Sequence, residues 1–318
     1  MDARQLRYFV QIVESGSLAK ASRQLFIAQP ALSHHVSRLE DEVGKPLLLR
    51  SSRGVTPTDH GAALYQHAKF VLRQLEDSVA VARQEQCALT GRVTLGLGPT
   101  TACMLGLPLM QHLERQLPGV ALQVIEGSSG QLESMSRGGQ LDLAILFSPA
   151  AASELVVEPL LDEELFVLLP ADSGLLPPGQ TSLSLAEVAR LPLALPSLRH
   201  ALRQRRIELE FKRAGLSLQP VAEIDSLPLL LRWVRHRGCA TIQPHAAVDA
   251  LGDGPQAWRC LAIADVRVLR PNYLYALPPG KLSRAAAAMR DELRVVIRQL
   301  QAQGRWLGLQ LAGQGAPD

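Results

Sequence analysis

The chain has 318 residues, 47% of them hydrophobic, and a formal net charge of +3 at pH 7. This apolar content is ample for packed cores, and the length predicts two or three domains. The chain lacks a secretory signal, a run of about 18 apolar residues, and cysteines at metal-ligand or disulfide spacing, so we expect a soluble, cytoplasmic protein without membrane segment, metal site or cofactor.

The positive charge is concentrated at the N-terminus. Residues 1–58 contain eight Lys or Arg and five Asp or Glu, whereas basic and acidic residues are equal in number in the rest of the chain. A basic excess confined to one segment favours binding of double-stranded DNA by that segment.

Residues 4–14, 18–25 and 29–42 predict three short helices, the last two joined by a tight turn. One face of the third helix is an apolar stripe that predicts packing against a core. The stripe comprises Leu32, Val36, Leu39 and Val43. The opposite face is polar and rich in donors, as in a recognition helix lying in the DNA major groove. The side chains expected to read bases are Gln29, Pro30, Ser33, His34 and Arg38.

A β-hairpin is predicted directly after the third helix, with strands at 47–49 and around Val55 and a turn at 51–54. A hairpin in this position is a wing, and its basic residues Arg50 and Arg53 are expected to contact phosphates or the minor groove. The alternative is an ordinary solvated loop; the neighbouring recognition helix favours DNA contact.

A long helix follows, capped by Thr58 and running to about Leu89. Apolar residues recur along it at steps of three and four, a seam typical of coiled coils. Because the helix lacks an evident partner in its own chain, the seam predicts a homodimer, which places two recognition helices on a twofold axis matching an inverted-repeat DNA site. The seam comprises Leu64, Ala68, Val71, Leu75, Val79 and Ala82.

From residue 91 onwards, short apolar strands alternate with helical stretches, which predicts an α/β fold with parallel strands. The first unit has strands at 92–98, 120–127, 141–147 and two within 155–170, with helices near 103–116 and 130–138. The second unit has strands at 193–196, 221–224 and 239–244, with helices at 199–213 and 227–236. The chain then returns to the first unit at 273–277 and 283–302, so two lobes with a cleft between them are expected.

In a two-lobed α/β unit, a ligand is expected at the carboxyl ends of strands, near the amino ends of helices. Hydroxyl groups and free helix N–H groups there favour a small anion such as a carboxylate. The candidate effector-binding residues are Thr100, Thr101, Ser128, Ser129, Ser197, His200 and Arg203. The alternatives are plain helix capping by the hydroxyls and, for Arg203, a solvated helix face.

Two N-terminal segments carry a family resemblance, LRYFVQIVESGSLAKASRQL and IAQPALSHHVSRLEDEVGKPLLLRSSRGVTPTDHG. Their residue order and spacing resemble the N-terminal domain of LysR-type transcriptional regulators. Weaker similarity covers the rest of the chain, and RGVTPTDHG with ALYQHAKFVLRQLED is most similar to the nitrogen assimilation control subgroup. One departure is His34-His35, where the family often has Arg or Gln; a mostly neutral histidine adds little charge.

The resemblance implies a winged helix-turn-helix domain in residues 1–58, a dimerising linker helix in 59–90, and an effector domain in 91–304 similar to a type 2 periplasmic binding protein. Lobe 1 of that domain would comprise about 91–162 and 266–304, and lobe 2 about 163–265, followed by a tail at 305–318. The resemblance also implies homotetramers assembled as pairs of dimers, with RNA polymerase as a further candidate partner.

Other classes compete with a regulator. An enzyme that uses the α/β lobes is disfavoured, because GLG at 96–98 lacks the third glycine of a dinucleotide fingerprint and the sequence has no nucleophile elbow, phosphate loop or zinc motif. We therefore assign no catalytic residue. A periplasmic solute-binding protein would need a signal peptide and leaves residues 1–89 unexplained. A cytosolic small-molecule-binding protein is the remaining alternative.

Overall fold

The computed structural model describes residues 1–51, 54–82, 89–149, 154–197 and 202–312. It contains an N-terminal helical domain with a β-hairpin, a connecting helix, and a two-lobed α/β region, so the predicted fold class is confirmed. Among the described residues, none of the helices combines the length and hydropathy that a membrane crossing needs.

Three helices form the N-terminal domain, close to their predicted bounds. They are α1 Ala3–Ser15, α2 Leu18–Leu25 and α3 Gln29–Val43. Local signals set their ends: Asp2 and Gln5 form a capping box before α1, and the Ser17 side chain accepts a backbone N–H at the start of α2. Gly16 and Gly44 end α1 and α3 in the left-handed conformation that glycine adopts without strain.

The helices pack around one apolar core, to which the predicted stripe of α3 contributes Leu32, Val36 and Leu39. Each of these side chains is at most 1% exposed. Val43 was expected in the same stripe but is 41% exposed, because it is the last residue of α3 and lies past the core. Other core members are Phe9, Ile12, Leu18, Ala21, Leu47, Leu48 and Val55.

The predicted wing is an antiparallel hairpin of β1 Leu48–Ser51 and β2 Gly54–Pro57. The Glu40 carboxylate of α3 accepts the backbone N–H groups of Leu47 at 2.8 Å and Leu48 at 3.1 Å. Hydrogen bonds to a charged acceptor are stronger than neutral ones. Glu40 therefore fixes the wing against α3.

Helix α4, Asp59–Ala82, begins as predicted at Thr58, whose hydroxyl accepts the Gly61 N–H at 3.0 Å. Residues 83–88 and the side chains of Val79 and Ala82 lie outside the described residues. Leu89, the predicted end of the helix, is not helical and packs against the lobe 1 core, whereas the course of residues 83–88 and the C-terminal part of the seam stay predictions.

The first half of α4 packs within its own chain. Ala68 and Leu72 are buried against Leu6 and Val10 of α1. The prediction that this helix lacks an intrachain partner is therefore wrong for its first half, because Ala68 of the seam and the neighbouring Leu72 form a second apolar cluster with α1. Further along the seam, Leu75 is 43% exposed.

The α/β region follows the predicted alternation and adds short elements. In chain order it contains β3 Gly91–Leu97, α5 Pro99–Gln116, β4 Val120–Glu126, α6 Ser129–Arg137, β5 Leu143–Leu146, β6 Val156–Pro170, β7 Ser182–Leu183, α7 Leu185–Val188, β8 Ala194–Leu195, α8 Leu202–Arg213, β9 Ala222–Glu223, α9 Leu227–Arg237, β10 Thr241–Pro244, a 3₁₀ helix at His245–Leu251, β11 Trp258–Ile263, β12 Leu269–Ala276, α10 Arg284–Ala302 and β13 Leu309–Leu311.

Lobe 1 is a sheet in which β3 pairs in parallel with β4 and β5, and β12 returns antiparallel beside β5. Helices α5 and α10 bury Leu105, Leu109 and Leu293 against this sheet. In lobe 2, β10 and β11 pair antiparallel with the second half of β6, and β7 lies parallel to β11.

Strand β6 joins the lobes. Two strands were expected within 155–170, but Val156–Pro170 is one continuous strand, so that prediction is wrong. Its first half pairs with β12 and its second half with β10 and β11, so partners on both lobes keep it extended. At the centre of this strand, where it passes from lobe 1 to lobe 2, lie three acidic residues, Asp162, Glu163 and Glu164. They do not interrupt the strand.

The C-terminal residues up to 312 belong to lobe 1. Trp306 is 3% exposed in the lobe 1 core, and β13 pairs with β6. The predicted tail at 305–318 is therefore wrong for 305–312, because the aromatic ring and two leucines supply buried apolar area. Residues 313–318 lie outside the described residues.

Candidate functional site

The side chains predicted to read DNA lie on one outward face of α3. Gln29, Pro30, His34 and Arg38 are exposed, and Ser33 is half-buried. Pro30 occupies the first turn of the helix, where its missing N–H costs little. The surface offers amide, hydroxyl, imidazole and guanidinium groups, which suit base edges and phosphates.

The wing touches this face directly. Arg50 Nη1 donates a hydrogen bond to Ser33 Oγ at 2.9 Å, so the wing arginine and the helix serine form one unit. Arg53, the other predicted wing contact, lies outside the described residues. The assignment of all seven residues to DNA binding stays a prediction.

The two neighbouring histidines differ in position. His34 is exposed, whereas the His35 ring packs edge-on against the Tyr8 ring at 5.0 Å between centroids. His35 Nδ1 is buried and has no hydrogen-bond partner among the described residues. Of the two, His34 is therefore the one exposed on the outward face of α3.

The cleft between the lobes holds a small pocket of about 40 Å³. Its lining comprises Pro99, Thr100, Phe147, Pro196, Asp225, Leu227, Leu230 and Gln243. Ligand pockets usually have volumes of about 300 Å³ or more. The pocket is therefore much smaller than a typical small-molecule site.

The predicted lobe 1 hydroxyls fall into two groups. Thr100 lines the pocket, and Thr101 is fully buried beside it, with its Oγ1 unpartnered among the described residues. In contrast, Ser128 caps α6 by accepting the Gln131 N–H at 3.3 Å, and neither Ser128 nor Ser129 lines the pocket. Helix capping accounts for Ser128, and Thr100 and Thr101 remain the stronger candidates.

The predicted lobe 2 residues are only partly described. The Ser197 N–H donates to the Asp225 carboxylate at 2.8 Å, next to the pocket wall formed by Pro196. His200 and the side chain of Arg203 lie outside the described residues. Asp225 faces the pocket with a negative charge, a feature that the sequence interpretation missed.

A buried charged cluster lies behind Thr100. Arg270 and Glu163 form an ion pair across β12 and β6, and both are at most 1% exposed. The Glu163 carboxylate also accepts Asn272 Nδ2 and Trp306 Nε1, each at 3.0 Å. With Nε and Nη2 of Arg270, four donors satisfy this buried carboxylate, which connects β6 and β12 to the C-terminal segment.

The Arg270 guanidinium reaches the pocket wall. Its Nη2 donates to Thr100 Oγ1 at 3.0 Å, and its Cζ lies 4.0 Å from the centre of the Phe147 ring, a cation–π contact. Because the Thr100 oxygen accepts this bond, the Thr100 hydroxyl proton is free to donate to a ligand. Arg270 Nη1 is buried without a partner among the described residues.

Comparison with protein families identifies both halves of the chain. Residues 3–62 match the bacterial regulatory helix-turn-helix protein, lysR family, and residues 88–297 match the LysR substrate binding domain. The chain belongs to the LysR family of transcriptional regulators. This LysR-family protein is therefore a regulator and not an enzyme, as we predicted.

Relatives of this LysR-family regulator match along its whole length. The nitrogen assimilation regulatory protein nac of Klebsiella aerogenes is 35% identical over 315 residues, which cover 97% of this chain and 99% of the relative. The nac protein of Escherichia coli is 35% identical over 93% of this chain and 95% of its own. A hydrogen peroxide-inducible genes activator of Dickeya chrysanthemi is 27% identical, covering 95% and 99%.

Solved structures share the fold of this LysR-family regulator. A full-length OxyR variant from Pseudomonas aeruginosa superimposes with a TM-score of 0.74 at 23% identity, covering 100% of this chain and 99% of that one. Full-length CbnR complexed with its target DNA superimposes with a TM-score of 0.67 at 20% identity, covering 93% and 100%.

Proposed function

We propose that this LysR-family regulator binds inverted-repeat promoter DNA through α3 and the wing. The observation that carries the proposal is the Arg50–Ser33 hydrogen bond, which joins both DNA-facing elements into one surface. Gln29, Pro30, His34 and Arg38 complete the base-reading set, with Arg53 on the wing tip. Acting on chromosomal DNA, the protein works in the cytoplasm.

We infer that it assembles as a homodimer and then as a pair of dimers. Support comes from exposed apolar side chains on two effector-domain helices: Leu107 and Met110 on α5 are 64% and 45% exposed, and Leu229 on α9 is 55% exposed. Leu75 on α4 is 43% exposed and extends the dimerisation seam. Leu107 and Met110 are three residues apart and therefore share one face of α5, which is available for contact with another chain. RNA polymerase is a further candidate partner of the DNA-bound form.

We infer that a small carboxylate-containing metabolite binds in the inter-lobe cleft. The first turn of α5 supplies free N–H groups and the Thr100 hydroxyl proton, which suit an anionic oxygen. Asp225 on the opposite wall suits a donor group on the same ligand. The names of the nac relatives make metabolites of nitrogen assimilation the first candidates to screen.

The DNA-binding proposal is tested with a fragment from upstream of the protein's own coding region and a random fragment of equal length. Specific retardation of the upstream fragment, weakening steeply as salt rises, is expected. Equal binding of both fragments would contradict the proposal.

The effector proposal is tested by thermal shift with small carboxylates and their neutral amides. A carboxylate that raises the melting temperature should lose most of its effect on the Thr100→Ala variant and have none as the amide. A shift that survives unchanged in Thr100→Ala would contradict a site at the first turn of α5.

A further inference from the structure

Phe26 is an aromatic residue of the helical domain that is almost fully exposed and has an unfavourable backbone conformation. It is 95% exposed, and no other large apolar side chain in the described ranges exceeds 64%. Its backbone has φ +56° and ψ +40°, and it is the sole non-glycine residue with positive φ among those described. Asn or Gly would adopt this conformation at lower cost.

The turn that carries Phe26 is held rigidly. The Phe26 N–H donates to the Arg23 carbonyl at 3.4 Å, and the Ile27 N–H donates to the Ser22 carbonyl at 3.1 Å. The Ser22 hydroxyl closes the turn by donating to the Ile27 carbonyl at 2.6 Å. The ring therefore projects into solvent from a fixed backbone and not from a loose loop.

The position of Phe26 identifies what would cover it. It lies three residues before Gln29, so its Cα is within about 11 Å of the first residue of α3. The N-terminal turn of a recognition helix enters the major groove, and the preceding turn then faces the groove edge. The exposed ring thus lies close to the proposed DNA-binding surface.

We propose that Phe26 packs its ring against the apolar surface of DNA, a deoxyribose or a thymine methyl group, beside the bases that Gln29 and Pro30 meet. Such a contact would offset both the exposure of the ring and the unfavourable backbone conformation. This inference rests on the proposed function, in which α3 is the recognition helix.

The test uses the full-length protein and a duplex selected by it from random sequences, with affinities measured by fluorescence anisotropy at several salt concentrations. Phe26→Asn should weaken binding about tenfold, as expected for losing partial burial of one aromatic ring. The slope of log affinity against log salt should stay unchanged, because no phosphate contact is lost. Phe26→Tyr, which keeps the ring, should bind nearly as the parent protein.

A stability measurement separates contact from folding. Asn tolerates the left-handed conformation, so Phe26→Asn should melt at the same temperature as the parent or higher. Val43→Ala is the matched control, because Val43 is exposed at the opposite end of α3. It should leave affinity unchanged. Replacing thymine by deoxyuridine in the duplex weakens parent binding if the ring meets a methyl group and has no effect if it meets a sugar.

The outcomes that overturn the inference are distinct. Parental affinity of Phe26→Asn would reject it while leaving the proposed function intact. Loss of self-association in Phe26→Asn, seen by analytical ultracentrifugation without DNA, would assign the ring to a contact between copies and also reject it. Failure of the parent protein to select any duplex would overturn the proposed function and this inference together.

Discussion

Arg50 Nη1 donates a 2.9 Å hydrogen bond to Ser33 Oγ, so the wing and the recognition helix share one polar contact. The serine hydroxyl accepts from the guanidinium, so its own proton can be donated to another acceptor. Two positions that sequence analysis treats as independent DNA contacts therefore act as a unit.

This pairing predicts non-additive effects on DNA binding. Ser33→Ala and Arg50→Ala should each lower affinity for a selected duplex, and the double variant should lose less than the two losses combined, with a coupling of about 0.5–1.5 kcal/mol. Anisotropy titrations measure all four affinities. Ser37→Ala, an exposed serine on the same helix, is the control without a wing contact. Strict additivity would show that the hydrogen bond does not persist on DNA.

Replacing Glu40 should weaken the attachment of the wing to α3. Glu40→Ala leaves the Leu47 and Leu48 N–H groups without their acceptor, which should cost about 1–3 kcal/mol, whereas Glu40→Gln retains an acceptor oxygen and should cost less. Amide hydrogen exchange at Leu47 and Leu48 should accelerate in the alanine variant. Asp41→Ala removes the neighbouring exposed carboxylate and should leave exchange unchanged. Unchanged protection of the Leu47 and Leu48 amides from exchange in Glu40→Ala would show that Glu40 does not hold the wing in place.

Alanine substitutions at two glycines should change stability in opposite directions. A Cβ at Gly61 would lie 1.9 Å from the Leu47 carbonyl oxygen, so Gly61→Ala must displace β1 or α4 and should destabilise the helical domain by about 1–3 kcal/mol. A Cβ at Gly106, inside α5, meets nothing within 4 Å, so Gly106→Ala should stabilise the effector domain by about 0.5–1 kcal/mol. Urea titrations read both changes. Equal midpoints for Gly61→Ala and the parent would contradict the close approach.

Local signals explain why the N-terminal helices were predictable. Capping side chains such as Asp2 and Ser17 and the terminal glycines act within a few residues, so the sequence displays them directly. The rule that ligands meet the carboxyl ends of strands led to Thr100, which lines the inter-lobe pocket, because the rule depends only on the order of β3 and α5. The same logic overrated Ser128, since capping and ligand binding require the same hydroxyl.

Long-range pairing explains what sequence analysis missed. Glu163 meets Arg270 from 107 residues away and Trp306 from 143 residues away, and no local pattern marks either pairing. Three acidic residues stand together in this apolar strand, and their order shows neither that Glu163 is the buried one nor which residues pair with it. The continuity of β6 was missed for the same reason, because its second half is held by strands from the other lobe.

We expect the thiols of Cys103 and Cys260 to react slowly with oxidants. Burial, with help from the Glu126 and Asp249 charges, raises the pKa of Cys103 from 9.0 to about 11, and burial raises the pKa of Cys260 to about 12. The reactive thiolate of Cys103 is then about a hundredfold scarcer at pH 7.5 than at its ordinary pKa. Iodoacetamide labelling followed by peptide mass spectrometry should be slow in native protein and fast in urea. Rapid labelling of the native protein would contradict this predicted resistance. Loss of DNA binding in hydrogen peroxide, traced to oxidation of these cysteines, would contradict it as well.

We predict that removing one partner of the Glu163–Arg270 ion pair destabilises the effector domain more than removing both partners. Arg270→Met leaves Glu163 buried with only the Asn272 and Trp306 donors and should destabilise the effector domain by about 3–5 kcal/mol. Glu163→Leu should be similarly harmful, because the guanidinium is then buried without its counter-charge. The double variant should recover much of the loss, since an apolar pair of similar volume avoids the cost of desolvating charges. Urea unfolding followed by tryptophan fluorescence measures the midpoints, with Trp306 touching the pair itself. A double variant as unstable as the combined single losses would show that the two charges do not depend on each other.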